Sequence, residues 1–152
     1  MKNLPALFAL LLAAPAVAQE VRLDSEVLVE RTVTGPDGRT TTELEAPKTV
    51  VPGDRVVIQL RYENAGATPA TDFTVTNPMP AAVAFTGAAS PGNELSIDGG
   101  KSWGQLAALQ VAQADGTSRP ALPADVTHVR WILRTPIAPK GTGTLSFGGV
   151  VR

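Results

Sequence analysis

The sequence predicts an all-β antiparallel sandwich, and three observations carry that expectation. Apolar and polar residues alternate over short runs, most cleanly at Val56, Ile58, Leu60 and Tyr62, which is the period of a half-buried strand. Turn-forming clusters separate these runs, and 14 glycines and 13 prolines are spread through the 152 residues. No segment of residues 19–152 sustains a long helical period. About seven to nine short strands with turns between them favour a sandwich over a barrel or a parallel sheet. No repeat is visible that would build a propeller or a solenoid.

The first 18 residues stand apart from that pattern. Met1 and Lys2 make a short positive start, and positions 4 to 17 are apolar apart from two prolines. Ala16-Val17-Ala18 then puts small residues where a signal peptidase reads. The expectation is a signal peptide over 1–18 and a single domain over 19–152. The apolar run is short for a span, which takes roughly 20 residues. No second such run follows, so no membrane span is expected after cleavage, and the product is expected to be periplasmic or secreted.

Composition narrows the function classes. The chain has 13 Lys and Arg against 14 Asp and Glu, for a net charge of −1, without long runs of either sign. Nucleic acid and anionic membranes are therefore not expected partners. The chain has no cysteine. An exported domain without disulfides must be held by its core, and thiolate metal sites are excluded.

The elements read in order as follows. Val21, Leu23, Val27 and Val29 alternate with Arg22, Asp24, Glu26 and Glu30, predicting a half-buried strand. Gly35-Pro36-Asp37-Gly38 is a turn, and Thr40–Leu44 returns as a polar strand. Arg39, Glu43 and Glu45 suit a sheet edge, where charge discourages a neighbouring strand. Val56–Tyr62 is a central strand. Ala70–Asn77 follows with Phe73 and Val75 inward, ended by Pro78 and Pro80. Val83–Phe85 and Glu94–Ile97 are short strands. Leu106–Val111 fits a helical turn or a strand equally, and Ala112–Asp125 reads as a polar loop. Val126–Arg134 puts Val129, Trp131 and Leu133 on one face. Pro136, Pro139, Gly141 and Gly143 form the last turn, and Leu145–Val151 closes the sheet.

The stretch from Pro52 to Pro80 carries a resemblance. Pro52-Gly53-Asp54 precedes a strand, Tyr62-Glu63-Asn64-Ala65-Gly66 follows it, and Asn77-Pro78-Met79-Pro80 follows the next. This pattern resembles the Ig-like conserved-repeat family of bacterial surface proteins, domain of unknown function eleven. The resemblance covers Val51 to about Ser90 well and the strands from Val129 onward loosely. Asn77 and Met79 stand where the family usually has Asp and Leu, and there is one copy where the family often has tandem repeats. The resemblance implies an Ig-like sandwich in an envelope or surface protein. The residues also have backbone reasons of their own. Asp54 can accept from amides as the chain turns, while Asn64 and Gly66 suit a reversal between strands.

Few residues suggest chemistry. Ser96-Ile97-Asp98-Gly99-Gly100-Lys101-Ser102-Trp103 resembles the Asp-box, with Ser102 in place of Thr. That motif is a folded hairpin in which Ser96 and Asp98 bond loop amides, Gly100 takes a strained φ and Trp103 packs beneath. One copy cannot build a propeller, which needs at least about four blades, so a structural hairpin is expected. His128 is the single histidine. No Gly-x-Ser-x-Gly elbow or assignable acid accompanies it, and a strand residue on the polar face is the expectation. Glu94, Asp98, Asp115 and Asp125 form only a weak calcium pattern. An isopeptide link from Lys48, Lys101 or Lys140 to Asn64, Asn77 or Asn93 would compensate for absent disulfides, but nothing in the sequence selects a pair. No cofactor or metal is expected.

The leading expectation is a non-enzymatic, structural or protein-binding Ig-like module of a bacterial envelope. It would act through end loops (Pro91–Asn93 and Ala112–Pro123) or by strand addition at an edge. Its partner would be an envelope or surface protein, or a glycan. A carbohydrate- or matrix-binding module is the alternative and needs Trp103 or Trp131 exposed for stacking. A small hydrolase using His128 is a distant third.

Overall fold

The structure, a computed structural model, describes residues 20–152, so the expected signal peptide lies outside the described residues. Ten strands form in order: β1 (Val21–Thr34), β2 (Thr40–Glu45), β3 (Arg55–Asn64), β4 (Phe73–Pro78), β5 (Val83–Ala89), β6 (Asn93–Ser96), β7 (Gln110–Ala112), β8 (Ser118–Pro120), β9 (His128–Leu133) and β10 (Thr142–Val151). Single 3-10 turns lie at Leu106–Ala108 and Pro123–Asp125.

The protein is an all-β antiparallel sandwich. One sheet has the order β2-β1-β3-β10-β5 and the other β4-β9-β6, with β7-β8 as a separate hairpin. All these pairings are antiparallel. Alternation decides which side chains meet between the layers. Val56, Ile58 and Leu60 of β3 turn inward with Leu145 and Phe147 of β10. They face Val75 of β4, Leu95 of β6, and Val129 and Trp131 of β9. Trp131 lies 6.2 Å from Phe147 between ring centroids, and its indole N–H donates to the Ser90 carbonyl at 3.1 Å. The largest core side chain thereby has its polar atom satisfied.

Several features differ from expectation for tertiary reasons. The expected loop Ala112–Asp125 contains a hairpin, with Val111 opposite Arg119, which brings the count to ten strands. Leu106–Val111 is both of its alternatives in turn, a 3-10 turn and then β7. Leu109, Ala121 and Val126 from this region join the core. In β1 the apolar alternation buries only Val29; Leu23 and Val27 stay 43% and 40% exposed. The three-stranded sheet is narrower than the five-stranded one, so β1 lies beyond its cover.

Gly143 differs as well. It lies inside β10 opposite Tyr62 and is not part of a turn. A Cβ there would fall 2.1 Å from the Tyr62 ring, so the aromatic side chain occupies the space a side chain would need. The strand expected over Ala70–Asn77 is shorter at its start: Ala70 makes an isolated bridge with Ile137, and β4 begins only at Phe73, after Asp72 at φ 53°.

Candidate functional site

The turn residues singled out in the sequence fall in three places. In the first, Gly53 has φ 95° between Pro52 and Asp54, the positive value a type II turn needs at its third position, and the Asp54 amide closes the turn on the Val51 carbonyl at 3.0 Å. The Gly53 amide donates to the Val151 carbonyl at 2.8 Å. The Asp54 carboxylate accepts from the Val51 amide at 3.0 Å and lies 3.5 Å from Arg31 of β1. This turn ties the start of β3 to the end of β10.

In the second, Asn64 is 1% exposed at the end of β3. Its side-chain amide donates to the carbonyls of Thr68 and Ile137, both at 2.8 Å. Its side-chain oxygen accepts from the Gly66 amide at 3.0 Å. Asn64 therefore fastens the β3–β4 connection to the β9–β10 connection. Lys140 donates to the Ala65 carbonyl, and the Asn64 amide nitrogen is engaged with carbonyls. Pro80, the exit residue, closes a turn by accepting from the Val83 amide at 2.9 Å.

The third place is the loop from Ser96 to Trp103, between β6 and the 3-10 turn. Asp98 accepts from the amides of Lys101 and Ser102, both at 3.0 Å, and from the hydroxyls of Ser96 and Ser102 at 2.7 and 2.6 Å. The Ser96 hydroxyl accepts from the Gly100 amide at 2.9 Å. Gly100 has φ 87°, and its carbonyl accepts from the Trp103 indole N–H at 3.0 Å. The bonds from Ser102 and the other loop groups hold the Asp98 carboxyl well below the usual carboxylate range.

A carboxyl with a lowered folded pKa supports its loop above the unfolded value and loses that support as pH falls towards the folded one. An NMR titration of the Asp98 side-chain carbon is therefore expected to find its midpoint well under the ordinary value near 3.9. The Trp103 signals should shift over the same low-pH range. Asp98→Asn should show the altered Trp103 signals at neutral pH already. An ordinary midpoint would refute the bonding described.

Trp103 rests on the outer face of the smaller sheet. The Arg130 guanidinium lies 4.3 Å from its ring centroid, and the His128 ring meets it edge-on at 6.3 Å. Arg130 is held by Glu94 at 2.6 Å. His128 Nδ1 is 3.1 Å from the Thr127 hydroxyl, which itself bonds the Ser96 carbonyl and the Gly99 amide. These groups are bonded to one another. Trp131 lies in the core at 2% exposure, with no face for a sugar. The acidic residues are likewise engaged: Asp115 with Thr117, and Asp125 with Arg119 through two bonds at 2.7 and 2.8 Å. The hydrogen bonds from Arg119 lower the Asp125 carboxyl to about 2. Among the described residues no three His, Asp or Glu side chains converge as a metal site would need. An open groove of about 530 Å³ runs between this loop and β7, lined by Asp98, Ser102, Leu109 and Val111 among others.

The most exposed regular structure is elsewhere. β1 pairs with β3 from Val21 opposite Asn64 to Val29 opposite Val56. From Glu30 to Thr34 it pairs only with β2. Glu30 lies level with Arg55, the first residue of β3, so the four residues Arg31–Thr34 carry a two-stranded arm roughly 14 Å beyond β3 at the usual strand rise. Every residue of β2 is exposed. Glu30 bonds Arg55 at 2.8 Å and anchors the base of the arm. Val33, Leu44, Val50 and Val51 are exposed apolar residues on or beside it. The alternation that continues through Arg31-Thr32-Val33-Thr34 was the signal for this arm, but sequence shows no reason for it to outrun its neighbour.

The fold and its surfaces define the protein at the level of an antiparallel β-sandwich. Comparison with protein-family models, curated proteins and solved structures finds no match.

Proposed function

We propose that this chain is an exported bacterial envelope protein, a non-enzymatic Ig-like module that binds protein through its β1–β2 arm. The observation that carries the reading is the arm itself. A two-stranded ribbon with both faces in water is marginally stable alone, and an added strand or surface completes it. The leader-like residues 1–18 support export, and the resemblance over Pro52–Pro80 supports the Ig-like envelope reading. The engaged state of His128, Asp98 and Asp125 supports a binding role over a hydrolytic one. Arg130 over the Trp103 ring weighs against a sugar platform there.

Expression with a C-terminal tag in a Gram-negative host tests this reading. The tagged protein is expected in the osmotic-shock fraction, with its N-terminus at Gln19. A photo-crosslinking residue at position 42 should capture protein in the envelope, and one at position 101 should not. Retention of an unprocessed chain in the cytoplasm would overturn export. Equal capture at both positions would overturn the arm as the binding element.

A further inference from the structure

We propose that the free edge of β2 pairs antiparallel with β2 of a second copy of this chain, in a register centred on Thr42. The inference rests on the arm being the binding element and names its partner.

Three observations converge on it. First, among the described residues β2 is the terminal strand of its sheet and is hydrogen-bonded on one side only. The Gly35 amide donates to the Arg39 carbonyl at 2.8 Å, which sets the bonding parity of the hairpin. Thr41, Glu43 and Glu45 therefore direct their peptide groups to β1, and Thr40, Thr42 and Leu44 direct theirs to the open side. Second, a two-fold axis through Thr42 perpendicular to the sheet brings those outward groups into register. Thr42 faces its own copy, and Thr40 faces Leu44 in both directions. Third, the same register is charge-complementary. Arg39 of each copy faces Glu45 of the other, and Glu43 faces Thr41.

The neighbouring two-fold registers are worse. Centring on Glu43 sets two glutamates face to face. Centring on Thr41 also matches charge, Arg39 against Glu43, but it sets Asp37 against Glu45 and shortens the paired stretch of β2 from five residues to three. Charge that suits an edge for repelling strangers here matches a copy of itself. The pairing turns two marginal ribbons into one four-stranded ribbon within a continuous ten-stranded sheet, by doubling the five strands of each copy. The net charge is small, −1 for the whole chain and one unit more negative once Lys2 leaves with the leader, so it opposes association only weakly.

The interface is small, so micromolar affinity is expected. Sedimentation equilibrium of the purified protein over a series reaching high micromolar concentration should show the mass rising to twice the monomer. Arg39→Glu and Glu45→Arg should each weaken association by about tenfold or more, since each turns two attractive pairs repulsive. The double variant Arg39→Glu/Glu45→Arg should restore it. Glu43→Lys should leave it unchanged, which separates this register from the one centred on Thr41. Thr42→Pro removes an outward donor without touching the β1 ladder, and should be monomeric with an unaltered circular dichroism spectrum.

A monomer at every concentration would overturn the proposal, as would folded charge variants that associate like the parent or a folded double variant that fails to recover. If the protein is monomeric and position 42 still crosslinks to a different envelope protein, self-pairing falls while the arm as binding element stands.

Discussion

Replacing Trp131 with alanine is expected to lower the unfolding free energy by about 3–5 kcal/mol. The side chain is 2% exposed, packs on Phe147, and bonds the Ser90 carbonyl through its indole N–H. Truncation leaves a large cavity between the sheets and an unsatisfied carbonyl at their edge. Because a domain of this size is stable by only about 5–15 kcal/mol, the loss is a large part of the whole. The neighbouring Ile132 provides the control. It is 37% exposed on the opposite face of the same strand, so Ile132→Ala should cost about 1 kcal/mol or less. Urea unfolding followed by far-ultraviolet circular dichroism measures both. Equal effects from the two substitutions would mean β9 does not present Trp131 to a closed core.

Asn64→Ala is expected to cost about 3 kcal/mol, with no apolar cavity of comparable size involved. Three hydrogen bonds are lost: the Gly66 amide and the Thr68 carbonyl lose their partner, while the Ile137 carbonyl keeps the Ala70 amide. A typical bond is worth about 1 kcal/mol net, so the three together account for the loss. Asn64→Asp separates this mechanism from simple loss of volume. It keeps the acceptor for Gly66 but sets a carboxylate against two carbonyl oxygens, which raises its folded pKa. A raised folded pKa favours the native state below the unfolded value and loses that benefit as pH rises through the folded value. The Asp variant should therefore be more stable near pH 4 than at pH 7, relative to the parent. A pH-independent deficit would show that the two carbonyls do not face position 64.

The two replacements probe features with different legibility in the sequence. Trp131 was assignable because Val129, Trp131 and Leu133 alternate, and a strand's period of two places all three on one face wherever the sheet sits. Asn64 was recognisable as a turn residue beside Gly66. Its bond to Ile137, 73 positions away, was not. The connection takes its positive φ at Asp72, not at Gly66, so the local motif marked the reversal without marking where the backbone bends back.

The same division runs through the surfaces. Ser96, Asp98, Gly100 and Trp103 sit close together in the chain, so their mutual bonds were a local inference. Glu94, Arg130 and His128 gather on Trp103 only because β6 and β9 are neighbours in the smaller sheet. The hairpin in the expected loop was hidden for a related reason. Its strands are three residues each, too short for a period to show, and Arg119 joins Asp125 only when the loop folds back.

Alternation, turn chemistry and the lack of cysteine determined by themselves that this chain forms strands, joins them by tight turns and relies on an apolar core. Those are local properties, set by side-chain direction and backbone φ within a few residues. Only the tertiary structure decided the sheet widths. A five-stranded layer over a three-stranded one leaves Leu23 and Val27 uncovered and lets β1 and β2 run past β3 as an arm. Strand order and layer width depend on which distant segments pair, and the period of a strand is the same whether or not anything lies across from it.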